Sequence, residues 1–163
     1  MNDSEVLIGI AGIATSLAGF TGVVVVFGSR REGNWHPGDR LRLGFLLEAS
    51  LTGGGFALLA LILSNLPWGE SAGWTLGSTA WAAYMMLSLY SSRRRIQENL
   101  TSHGDVDRVA NHVVAGMFSA LIVVQVANAL LWHQFTPLLA ALTMNLAGAA
   151  MQFARLIRAA FQT

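Results

Sequence analysis

Uncharged apolar stretches alternate with short polar connections along the chain, and their lengths match a lipid bilayer. Residues 6–29 carry no formal charge. As a helix they would extend about 36 Å, enough to cross a hydrocarbon core of about 30 Å. A second uncharged window, 49–69, reaches back to Leu43 when Glu48 is included. A third, 71–92, contains Trp74, Trp81, Tyr84 and Tyr90. The fourth, 109–154, is too long for one span, and His133, Gln134 and Pro137 supply a turn signal in its middle.

The pattern predicts an all-α, polytopic integral membrane bundle forming one domain over residues 1–163, with five transmembrane helices near 6–28, 41–65, 73–91, 109–132 and 137–157. An alternative keeps four spans and lays 137–163 on the membrane surface as an interfacial helix. Five spans are preferred because residues 138–154 carry no charge and Arg155 can reach the headgroups along its aliphatic stem.

Charge then orients the bundle. All ten basic residues are arginines, at 30, 31, 40, 42, 93, 94, 95, 108, 155 and 158. Arginine-rich loops are retained on the cytoplasmic side during insertion. Loops 29–40 and 92–108 and the C-terminus are therefore expected inside, and the N-terminus outside. Loop 66–72 carries only Glu70 and loop 133–136 no full charge, which suits the outer side. Asp3 and Glu5 precede the first apolar segment with no basic residue among them, so that segment does not read as a cleavable signal peptide.

Composition agrees with a membrane setting. Charged residues are 12%, hydrophobic residues 53%, and mean hydropathy is +0.51. Soluble domains carry about 25% charged residues, so little polar material is available to face water. The arginines are dispersed over short segments without a basic arm, which argues against nucleic-acid binding. With no cysteine, thiolate metal sites and thiol nucleophiles are excluded.

Candidate chemistry is sparse. Helix 1 carries Gly12–Ser16, Thr15–Gly19 and Ala18–Gly22, a small-xxx-small pattern that permits close helix approach in lipid. Helix 2 places Arg40, Gly44, Glu48, Thr52 and Gly55 on one stripe. Glu48 stands about 9 Å along the axis from Arg42, in the inner leaflet. It is either a member of an ion pair with Arg42, Arg94 or Arg108, or part of a cation-attracting ring in an oligomer. Gly53-Gly54-Gly55 offers a packing groove or a flexible point. Gln125 with Asn128, and Asn145 with Gln152, form polar stripes that either specify packing or line a path.

Arg93, Arg94 and Arg95 are placed to meet anionic lipid headgroups. The pattern of Trp35, Pro37 and Asp39 reads as a turn into helix 2. Asp105 and Asp107 suit a helix start, and the Asn99 sequon lies inside by this topology. Of His36, His103, His112 and His133, a bis-histidine haem would need two facing each other from different helices, and the sequence does not place His103 and His112 so; with no catalytic motif present, neither a cofactor nor enzymatic activity is expected.

The segment Ala18-Gly19-Phe20-Thr21-Gly22, the pair Arg30-Arg31, and the stretch from Trp35 through Arg40 to Leu47-Glu48-Ala49-Ser50 resemble small uncharacterised multi-pass membrane proteins of bacteria. The resemblance covers about the first third of the chain and implies a bacterial inner membrane, with no known activity and no site residues. Three function classes stay open. They are a homo-oligomeric ion channel or permeation protein, an accessory or assembly subunit of a larger membrane complex, and a membrane enzyme or pigment carrier. The last has the least support from the residues.

Overall fold

The computed structural model describes residues 2–32, 37–103 and 108–161, with side chains given outside 24–39, 95–96, 98–111 and 159–163. Among these the chain is all-helical. The elements are α1 (Asp3–Glu32), α2 (Pro37–Ser64), α3 (Glu70–His103), α4 (Arg108–Ala127), a π-helical turn (Asn128–Trp132) and α5 (Phe135–Phe161). Among the described residues, the segments Asp3–Val23, Arg40–Ser64, His112–Trp132 and Phe135–Arg158 are long and apolar enough to cross a membrane. Four of the expected spans correspond to these segments, and α5, which the alternative reading laid on the surface, is one of them. It is α3 that falls short in hydropathy. Ser71, Thr75, Ser78, Thr79, Ser88, Ser91 and Ser92 dilute its apolar residues.

The helices are longer than the apolar windows. The connection expected at 92–108 is helical as far as His103. Arg93-Arg94-Arg95-Ile96-Gln97-Glu98 consists largely of good helix formers, so the helix continues past the end of its apolar face. Likewise α1 runs on to Glu32. Its start is fixed by a reciprocal cap: Asn2 Oδ1 accepts from the Ser4 N–H at 3.4 Å, and Glu5 Oε2 accepts from the Asn2 N–H at 3.4 Å. Pro37 opens α2, and Pro137 lies in the first turn of α5, where a missing N–H leaves no intrahelical bond unmade. The turn residues expected at Trp35 and His36, and the acidic pair Asp105 and Asp107, lie outside the described residues.

The chain divides into two compact units, residues 1–58 with 142–163, and residues 59–141. In the first unit α1, the first part of α2 and most of α5 share a core of Leu46, Ala149 and Leu156, flanked by Leu17, Leu43, Ala49 and Phe153. Phe20 meets Phe153 with ring centroids 6.1 Å apart. Thr21 is buried here because its hydroxyl donates to the Leu17 carbonyl at 2.8 Å, so no polar atom is left bare.

The second unit is built on α3. Its residues Gly73, Trp74, Gly77, Ser78, Trp81, Ala82 and Met85 are all buried, a spacing that places them on one side of the helix. Trp74 packs on Phe135 with centroids 5.0 Å apart. The connection from α2 turns through Asn65–Gly69. Asn65 Nδ2 donates to the Leu61 carbonyl at 2.7 Å, and Gly69 takes φ +89°, a conformation open to glycine. Tight packing of small residues follows at once. A Cβ on Gly73 would stand 2.8 Å from the Leu63 carbonyl oxygen, and one on Gly77 would stand 3.1 Å from Leu138 Cδ2.

Candidate functional site

Polar side chains gather most densely where α3, the π turn and the start of α5 meet. A π turn has one residue more than an α turn, and it carries the chain to a reversal made by His133 and Gln134 alone. His133 adopts the left-handed region (φ 55°), and its N–H closes the turn on the Asn128 carbonyl at 2.8 Å. Asn128, fully buried, uses both ends of its carboxamide. Nδ2 donates to Ser78 Oγ at 2.8 Å and to the Gln134 carbonyl at 2.9 Å, and Oδ1 accepts from the Gln134 N–H at 3.0 Å. One side chain thus ties the π turn to α3 and to the reversal.

Two further bonds extend the cluster. Gln125 Nε2 donates to the Pro137 carbonyl at 2.6 Å, joining α4 to α5. Thr75 Oγ1 lies 2.8 Å from His133 Nδ1 and 2.8 Å from the Ser71 carbonyl. A hydroxyl has one proton. With that proton donated to Ser71, the His133 bond requires the proton on Nδ1. The stripe of Gln125 and Asn128 noted in the sequence is therefore a helix-joining device. Its partner Ser78 was not singled out, because it lies 50 residues from Asn128, and Gln134 was noted only as part of the turn signal. The one local signal was the adjacency of Asn128 to the reversal at His133.

The other amide stripe lies in the first unit. Asn145 Nδ2 donates to the Ala49 carbonyl at 3.0 Å and stands beside Gly53. A Cβ on Gly53 would meet Leu146 Cδ2 at 2.9 Å, and one on Gly54 would meet the Ala14 methyl at 3.1 Å. Gly55 has open space. Of the glycine triplet, two residues lie against neighbouring helices and the third faces outward. Gln152 is half-buried, with no partner for Oε1 among the described residues.

Helix α1 places Gly12, Ser16, Gly19 and Gly22 on its exposed side. A Cβ at Gly12, Gly19 or Gly22 would meet nothing within 4 Å among the described residues. Ser16 donates to the Gly12 carbonyl at 2.9 Å, so the stripe offers shape more than hydrogen-bonding capacity. The exposed face of α2 contains Arg40, Gly44, Leu51, Gly55 and Leu58, with Glu48 and Thr52 half-buried along its flank. Arg42, Glu48 and Thr52 each interact with other groups of the chain. Arg93 and Arg94 are exposed on α3, and the Arg95 side chain lies outside the described ones. His112 is exposed near the start of α4, and the side chains of His36, Asn99 and His103 also lie outside the described set. Among the described residues no three of His, Asp and Glu are grouped in a way that could hold a metal ion. Compared with protein-family models, curated proteins and solved structures, the chain matches none.

Proposed function

We propose that this is a five-pass protein of a bacterial inner membrane, N-terminus out and C-terminus in, that self-associates and conducts cations past Glu48. The observation that carries the reading is the position of the α2 stripe. Arg40, Gly44 and Gly55 face outward from the protomer, with Glu48 and Thr52 beside them. A carboxylate within a helix of spanning length is costly against lipid and is covered by protein or water. A second copy of the same helix supplies that cover, and repetition of Glu48 about a symmetry axis attracts cations at the inner end.

The fifth span is α3. Of the hydroxyl side chains that lower its hydropathy, Ser78 is buried, while Thr75, Thr79 and Ser91 donate to carbonyls of their own helix, at Ser71, Thr75 and Ser88. Outward it offers Leu76, Met86, Leu87 and Tyr90 to lipid. The arginines at its cytoplasmic end, Arg93 to Arg95, then meet anionic headgroups.

A second reading, a non-catalytic accessory subunit of a larger membrane complex, draws on the open small-residue face of α1. Gly12, Gly19 and Gly22 leave room for a foreign helix as readily as for a copy. Native mass spectrometry of the protein extracted with its lipid separates the two. A single repeating mass is expected, whereas a mass containing other chains transfers support to the accessory reading. In bilayers, Glu48→Gln is expected to lower cation selectivity and conductance, and wild-type currents from that variant would remove Glu48 from the pathway.

A further inference from the structure

We propose that a water molecule is bound between α3 and α4, accepting from Trp81 Nε1–H and donating to Gln125 Oε1. Both side chains are fully buried, and neither of these two atoms has a hydrogen-bond partner among the described residues. One is a donor that cannot accept, the other an acceptor that cannot donate.

Their placement along the helices brings them to one level. α3 ends at His103 and α4 begins at Arg108, while Ser78 in the early part of α3 bonds Asn128 just past the end of α4, so the two helices run antiparallel. The Ser78–Asn128 bond fixes their register. Three residues onward on α3 is Trp81, and three residues back on α4 is Gln125. Both steps go about 4.5 Å in the same direction along the pair.

The carboxamide is not free to turn. Its Nε2 donates to the Pro137 carbonyl at 2.6 Å, and a flip would set two oxygens against each other. A direct bond between the two orphaned atoms is not made, and a bridging molecule satisfies both. Only a small neutral ligand with a donor and an acceptor suits a place with no exposure to solvent. Water has both, and buried waters typically take two to four hydrogen bonds from otherwise unpaired groups.

The test is water-selected nuclear magnetic resonance on the full-length protein labelled with nitrogen-15, reconstituted in lipid nanodiscs, with the Trp81 indole assigned from Trp81→Phe. A cross-peak from water to the Trp81 indole proton is expected, together with slow exchange of that proton in deuterated buffer. Gln125→Met, which removes the acceptor, is expected to abolish the cross-peak. Gln125→Glu, protonated in this apolar setting, restores an acceptor and is expected to retain it. The remaining four tryptophan indoles report whether each variant is folded. Absence of a water cross-peak in the folded wild type overturns the proposal, as does one that persists unchanged in folded Gln125→Met.

Discussion

Replacing Asn128 with leucine is expected to destabilise the protein by about 2–4 kcal/mol, because buried bonds lost together leave their partners unpaired. Asn128 makes three bonds, a buried one to Ser78 Oγ and two part-buried ones to the backbone groups of Gln134. The leucine variant leaves the Gln134 N–H without its acceptor beside a reversal of only two residues, 133 and 134. Ser78→Ala removes a single one of these bonds and is expected to cost about 1 kcal/mol, near the usual range for a polar pair between membrane helices. Unfolding in mixed micelles by increasing sodium dodecyl sulfate, followed by tryptophan fluorescence, measures both. Equal stabilities for Asn128→Leu and Ser78→Ala would show that the Gln134 bonds contribute nothing.

Gly73→Ala is the second large effect. The added methyl meets the Leu63 carbonyl oxygen at 2.8 Å, the Leu63 carbonyl carbon at 2.9 Å and Ser64 Cα at 2.9 Å. All three are backbone atoms, so no rotamer change relieves the overlap, and the end of α2 must move away from α3. Overpacking of this kind costs about 1–3 kcal/mol. Gly116→Ala, on the exposed side of α4, is the matched control, because its methyl would meet nothing within 4 Å among the described residues. There the gain in helix propensity is about 0.5–1 kcal/mol, so the control is expected to be neutral or slightly stabilising. The same micelle titration reads the difference. Identical unfolding midpoints for the two variants would contradict the close approach of α3 to the end of α2.

The helices were legible because apolar runs of spanning length are among the strongest patterns a sequence carries. Their ends were less so. At Arg93–Arg95 hydropathy stops but helix propensity does not, and α3 continues to His103. The reversal after α4 was legible from His133, Gln134 and Pro137, but the widened turn before it was not. No periodicity distinguishes Asn128–Trp132 from an ordinary helical turn, and its form is tied to the pairing of Asn128 with Ser78, 50 residues away. Small residues gave a mixed signal for a related reason. Gly12, Gly53 and Gly73 look alike in sequence, yet Gly12 faces open space while Gly53 and Gly73 lie against neighbours. What a glycine faces depends on where other helices fall. Glu48 was conspicuous as a carboxylate within a span and Gln125 as part of a polar stripe, whereas Trp81 gained interest only once its indole N–H was found without a partner among the described residues.

The division of the chain also sets a timetable for assembly. The unit spanning Leu59–Ala141 is contiguous, so everything it needs has been synthesised when Ala141 is added. The other unit is not: Met1–Leu58 waits for Leu142–Thr163. At ribosomal rates of about 5–20 residues per second, the wait from Leu58 until the second segment begins at Leu142 is roughly 4–17 s. Throughout it, Leu46 lacks Ala149 and Leu156, and Phe20 lacks Phe153, although α1 and α2 are already in place. The first two helices are thus the earliest made and the last completed. For those seconds their unfinished surfaces depend on lipid, or on a helper in the membrane, to keep them from pairing elsewhere.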